Sequence, residues 1–230
     1  MCGRFARYSA PDLLATAFDA TPAEPAPPPS YNIAPGARVL AVRTAEDSRQ
    51  ILSPLHWGLV PRWSRERKIA FSTFNARAET VAEKPAFRES FRHRRCLIPA
   101  DGFFEWQTSG RIKQPYFIRH RDGQPLAFAG LWDGWQDPQT GERLLSCSIL
   151  VTDANALMRT LHPRMPVILS AADQAIWLDP EVRDPCQLQA LLRPCDPAIL
   201  TAYPVDRRVN SAHEDGPTLI DPLPEPDRLL

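Results

Sequence analysis

Arg95-Cys96-Leu97-Ile98-Pro99-Ala100-Asp101-Gly102-Phe103-Phe104-Glu105-Trp106 places two strand-like runs, 96–99 and 103–107, only three residues apart. So short a connection suits antiparallel strands, because a parallel crossover needs a dozen residues or more. Working outward, similar runs occur at 39–42, 51–57, 116–119, 126–132, 144–152 and 167–169, again with short links. Helices are expected between them, each with a start signal: from Ser9 to 18, from Asp153 to 161, from Ser170 to 178, and from Asp184-Pro185 to 193. A further helix is expected over 79–91, interrupted at Pro85. The expectation is an α+β single domain over 1–230, with a curved, barrel-like, mainly antiparallel β core and peripheral helices. Residues 25–29 read as a stiff extended loop and 221–230 as an exposed tail.

The 230 residues are 43% hydrophobic and carry 27 basic and 27 acidic side chains, enough apolar content for a sizeable core. No apolar run is long enough to span a bilayer, and the first residues lack a secretory pattern, so a cytoplasmic, membrane-free protein is expected. Five cysteines, widely spaced and without a Cys-x-x-Cys pair, support neither a disulfide framework nor a zinc site; no metal and no cofactor are expected. Cys96 and Cys147 lie in apolar runs and read as buried small hydrophobes, but Cys2 has no such context. Between Pro61 and Arg95 ten basic residues stand against four acidic ones, although the whole chain is neutral. Such a run is ordinarily a solvated face and becomes a polyanion footprint only beside a reactive site.

Cys2 follows the initiator methionine, and aminopeptidases remove Met1 when the second residue is small. The product carries an amine and a thiol on adjacent carbons. Its α-amine, with an ordinary pKa of about 7.7 to 8.0, is partly neutral near pH 7, unlike a lysine at about 10.4. A neutral amine attacks an aldehyde, and the thiol then closes a five-membered thiazolidine that resists hydrolysis.

Beyond Cys2-Gly3-Arg4-Phe5, motifs follow in order along the chain: Tyr31-Asn32-Ile33-Ala34-Pro35-Gly36, Trp57-Gly58-Leu59-Val60-Pro61-Arg62-Trp63, Asn75-Ala76-Arg77-Ala78-Glu79-Thr80, the 95–106 stretch, Phe128-Ala129-Gly130-Leu131-Trp132, Thr152-Asp153-Ala154-Asn155, His162-Pro163-Arg164-Met165-Pro166 and Val209-Asn210-Ser211. This ordered set resembles the SOS-response-associated peptidase (SRAP) family, whose members shield abasic sites through an N-terminal cysteine. The resemblance implies a covalent crosslink to abasic sites in single-stranded DNA, with catalytic positions at Cys2, Asn75, Glu105 and His162. A monomer, associated with the nucleoid when bound to damaged DNA, is expected.

Each implied role has a chemical reason. An abasic sugar is mostly a closed hemiacetal, so a proton must move before the aldehyde is free. Glu105, flanked by aromatics, suits that shuttle if burial raises its pKa. His162 suits a relay to the departing hydroxyl, and Asn75 holds the amine or sugar without adding charge. Gly3, Arg4, Pro35, Trp63, Arg77 and Arg164 are the expected DNA contacts, with guanidiniums on phosphates and Trp63 stacking on a base. Trp57, Trp106 and Trp132 read as core. Residues 84–87 depart from the family pattern where some relatives carry an apolar wedge. The competing readings are a thiol autopeptidase with Cys2 as nucleophile, and a binder of single strands that forms no bond.

Overall fold

Alternating and continuous apolar runs give thirteen strands in the computed structural model, which describes residues 2–110 and 112–224. In chain order these are β1 (Phe5–Arg7), β2 (Thr21–Pro22), β3 (Ser30–Ile33), β4 (Arg38–Thr44), β5 (Gln50–Trp57), β6 (Asn75–Arg77), β7 (Arg95–Ala100), β8 (Gly102–Ser109), β9 (Ile112–His120), β10 (Leu126–Gln136), β11 (Arg143–Asp153), β12 (Arg164–Pro166) and β13 (Leu200–Pro204). Four short α-helices lie outside them among the described residues: α1 (Pro11–Ala17), α2 (Arg88–His93), α3 (Ala171–Leu178) and α4 (Pro185–Ala190). The architecture is α+β, with a curved, mainly antiparallel β core and peripheral helices, as expected from the sequence.

Strands β11, β10, β7, β4 and β5 pair in that order, and β5 returns to β11 through the parallel partners His56↔Ser146 and Trp57↔Cys147. The ring therefore closes, which removes the open edges a flat sheet would expose. A second sheet runs β13-β9-β8-β1-β3. The two runs of the 95–106 stretch do not pair with each other, since β7 belongs to the barrel and β8 to the second sheet. Asp101 makes this corner: its carboxylate accepts from the amides of Tyr8 (2.5 Å) and Ser9 (2.7 Å) and from the Ser9 hydroxyl. Gly102 follows because a Cβ there would sit 2.7 Å from the Ile118 carbonyl oxygen and 2.3 Å from the Phe117 ring.

Several expected elements are displaced, each for a local reason. Ser9 is occupied at Asp101, so α1 starts later, at Pro11, with Ala10 as its cap. β11 continues through Asp153, leaving one 3-10 turn (Met158–Thr160) where a helix was expected; the Asn155 side chain accepts from the Met158 amide at 3.0 Å. The 79–91 segment breaks into a 3-10 turn (Ala78–Thr80) and α2. The run at 167–169 contributes one bridge, Phe128↔Ile168, while the strand itself is β12. Ser170 and Asp184 do cap α3 and α4, accepting from the amides of Asp173 and Cys186, although α4 ends at Ala190. Of the expected tail, 221–224 are exposed and 225–230 lie outside the described residues. No helix among the described residues is long and apolar enough to cross a membrane.

Two apolar layers hold this frame. Phe5, Trp57, Phe103, Phe128, Cys96 and Cys147 are buried in one cluster, with the Phe5 ring 5.1 Å from Trp57 and 6.0 Å from Phe128. Leu14, Phe91, Trp177 and Leu188 pack the helices against Leu40 and Leu97. Trp106 and Trp132, expected in the core, are only half-buried. Arg95 locks the helical layer. It is 5% exposed, and its guanidinium donates to the carbonyls of Trp177, Phe91, Arg92, Asp179 and Val182. Arg95→Ala would leave these acceptors without a donor, and a loss of about 3–5 kcal/mol in urea unfolding is expected.

Candidate active site

The register of β1 on β8 builds the first half of the site. Phe5 pairs with Phe103, and the Phe104 amide donates to the Arg4 carbonyl at 3.0 Å. Continuing this antiparallel register sets Gly3 opposite Glu105, so the N-terminal segment runs past the Glu105 carboxyl. The second half comes from β6, which pairs in parallel with β11 through Asn75↔Ile149. The Asn75 side-chain amide donates to the Cys2 carbonyl at 2.7 Å, while its Oδ1 is buried with no partner among the described residues.

Electrostatics join the remaining members. Glu105 is 2% exposed, and burial pushes its carboxyl above the usual carboxylate range; the charge of His162 offsets this in part. The Cys2 thiol is pushed far up by burial and further by Glu105, with the Arg4 amide hydrogen bond as a partial offset. Cys2 thus lies beside both Asn75 and Glu105, and Glu105 beside His162. His162 is half-buried, with Nδ1 3.0 Å from the Arg164 amide nitrogen and 3.1 Å from the Arg164 carbonyl oxygen. With the Arg164 amide as donor, Nδ1 is the accepting nitrogen, which leaves Nε2 as the edge of the ring available to the site. The structure therefore brings together all four residues expected to be catalytic. Cys2 differs from expectation in one respect: it is completely buried, within the same apolar cluster as Cys96 and Cys147.

The expected DNA contacts divide. Trp63 is 56% exposed; its loop is pinned by Trp135, whose indole donates to the Ser64 carbonyl at 2.7 Å, and by Asp133, which accepts from the Arg62 amide at 3.0 Å. Arg77 is exposed at the end of β6, and Gly3 is half-buried. Pro35 lines an apolar cleft of about 540 Å³ together with Gly36, Trp57, Phe71 and Phe74. Arg4 and Arg164 are engaged within the protein. Arg4 donates to Asn32 (2.6 Å) and the Val209 carbonyl (2.8 Å), and Arg164 is held by Asp153 and Glu79, both at 2.7 Å. Nor is the basic run one face, since Arg62 and Arg94 pair with Asp133 and Arg95 is buried. Phe87, in the stretch where a wedge was sought, belongs to the core.

Two features were not anticipated. Phe71 is 81% exposed beside the cleft, in a 3-10 segment (Arg67–Ser72) without strand or helix periodicity. Its signal was a large aromatic among basic and small polar residues. Asn210 accepts from the Trp106 indole at 2.7 Å, tying the chain's last motif to the residue after Glu105. Among the described residues no group of three or more His, Cys, Asp or Glu is arranged to hold a metal ion.

Comparison with known proteins gives the family. The family model for SOS response associated peptidase (SRAP) matches residues 1–212. The abasic site processing protein YoqW of Bacillus subtilis is 41% identical, covering 96% of this chain and 99% of its own. YedK of Escherichia coli, of the same description, is 32% identical over 97% of this chain and 100% of its own. A crystal structure of a Bacteroides thetaiotaomicron protein superposes with a TM-score of 0.88 at 28% identity, covering 96% of this chain and all of that one. With a family model spanning most of its length, buried Glu105 beside Cys2 and Asn75 bonded to the Cys2 carbonyl, the chain belongs to the SOS response associated peptidase family.

Proposed function

We propose that the protein captures abasic sites in single-stranded DNA by closing a thiazolidine between the deoxyribose aldehyde and the amine and thiol of Cys2. The observation that carries this reading is the buried Glu105 carboxyl beside Cys2, within the electrostatic reach of His162. Relatives described as abasic site processing proteins, matched over nearly their whole length, support an abasic site as the substrate.

The steps follow from the groups present. Met1 leaves, freeing the Cys2 amine. Glu105, whose carboxyl burial pushes toward its protonated form, gives a proton to the ring oxygen as the hemiacetal opens and takes one back from the anomeric hydroxyl. The amine nitrogen adds to the aldehyde carbon and the carbinolamine loses water, with His162 placed to protonate the departing hydroxyl. The S–H then adds across the imine, sulfur to carbon and proton to nitrogen. Burial holds the thiol protonated, so the amine acts first and the sulfur second. The Asn75 Oδ1, buried beside Cys2, is an acceptor for the amine or a sugar hydroxyl. Trp63 and Phe71 offer exposed rings on which bases stack without regard to sequence.

Boiling in detergent after incubation with an abasic single strand tests this. A shifted band is expected; salt-sensitive binding that leaves no adduct after boiling would favour the non-covalent alternative. A second activity, autocatalytic removal of Met1, is favoured by the word peptidase in the family's description. It predicts that Glu105→Ala or His162→Ala retains Met1 in purified protein, and complete Met1 loss in both variants would exclude it.

A further inference from the structure

At the seam where the barrel closes, a groove of about 730 Å³ carries four arginines, Arg38, Arg43, Arg67 and Arg143, against two glutamates, Glu24 and Glu142. It runs along β4 from Arg38 to Arg43 and reaches the end of β5 and the start of β11, where Arg38 pairs with His56 and His56 with Ser146. Its charges are preset to different degrees. Arg43 is stacked on the Trp132 ring at 4.7 Å and donates to the Ser53 hydroxyl at 3.1 Å. Arg38 makes only a loose 3.7 Å pair with Glu24, both side chains being largely exposed, and such a pair costs little to exchange for another anion. Arg67 and Arg143 are exposed.

The groove adjoins the apolar cleft, whose wall leads in sequence to Asn75. His56 and Arg67 line both it and the apolar cleft of Pro35, Phe71 and Phe74, and Phe74 is the residue before Asn75. The Trp57 indole donates to the Phe74 carbonyl at 2.8 Å, so the cleft wall is fixed to the barrel seam. The cleft, with its apolar and aromatic walls, thus opens beside a channel where cations outnumber anions. Alternation of base-sized apolar surface with phosphate-sized positive charge is what an extended single strand requires. The reactive set makes no use of this seam.

We infer that the seam groove holds the backbone phosphates of the nucleic-acid strand on one side of the lesion, a binding site separate from the residues that handle the sugar. This rests on the proposed capture of abasic single strands, and its test reads binding apart from crosslinking. Fluorescence anisotropy with undamaged strands of about 5 and about 16 nucleotides measures the contribution of length. Crosslinking to a short abasic strand measures the reaction. For the wild type, affinity is expected to rise with length, and the rise to follow extension on one side of a central abasic analogue only. In Arg38→Gln/Arg143→Gln the long strand is expected to bind about tenfold more weakly, with a salt slope shallower by about 1.4, while the short-strand adduct is unchanged. Arg38→Lys/Arg143→Lys is expected to keep most of the affinity, because the charge remains. Equal long-strand affinity and salt slope in the glutamine variant and the wild type would overturn the inference, whatever the adduct yield. Weaker long-strand binding by the glutamine variant, together with a wild type that forms no adduct, would support the groove and reject the capture chemistry.

Discussion

Cys2→Ala is expected to form no boil-stable adduct with abasic single-stranded DNA, a loss limited only by detection. The variant keeps an N-terminal α-amine, so it can still form an imine, but it has no sulfur to close the ring. Borohydride is expected to trap this imine, whereas untreated samples release the DNA. Cys2→Ser tests the same point with a smaller change, since a hydroxyl closes onto an imine much less readily than a thiol. Folding is not expected to obscure either result. Cys2 is buried, but Cys to Ala removes one atom, and a loss of about 1 kcal/mol is within what the fold tolerates. An untreated Cys2→Ala adduct as stable as that of the wild type would mean that another nucleophile carries the reaction.

Glu105→Gln is expected to slow adduct formation by about 10²–10⁴-fold, the usual loss when a positioned acid or base is removed, while the protein stays folded. The pH dependence identifies the role. The acid limb of the wild-type rate should follow deprotonation of the Cys2 amine. The alkaline limb should follow loss of the Glu105 proton, which burial retains above the usual carboxylate range. Glutamine keeps the first limb and abolishes the second. Stability should move in the opposite direction. A carboxyl with a raised folded-state pKa contributes stability below its unfolded pKa and loses it as pH rises through the folded value. Above its folded-state pKa, the wild type bears the cost of a buried anion that Glu105→Gln avoids. A Tm higher by about 2–4 °C, for each kcal/mol relieved, is therefore expected at pH 8 and not at pH 4. A variant both slower and less stable at pH 8 would assign Glu105 a structural role.

The β core was legible because its strands are apolar and closely spaced: the runs at 39–42, 51–57, 126–132 and 144–152 all lie within observed strands. What escaped were short elements defined by partners rather than by pattern. β1 and β6 are three residues each, and they pair because β8 and β11 offer edges to them. Those two strands place Cys2 and Asn75, so the geometry of the site depends on the least legible part of the fold. The Ser9 cap failed because Asp101, remote in sequence, takes the same hydroxyl. The basic run misled in part because charge in sequence says nothing about pairing, and Asp133 on β10 takes up both Arg62 and Arg94. Cys2 itself could be identified by position, but its burial could not, since the cluster around it is assembled from distant strands.

Intact-mass spectrometry of the purified protein, alone and after incubation with an abasic single strand, bears most directly on capture by Cys2. The free protein is predicted to lack Met1, and the product to weigh the sum of the processed protein and the DNA less one water. Retention of Met1 together with an adduct, or processed protein that gains no mass from abasic DNA, would contradict it.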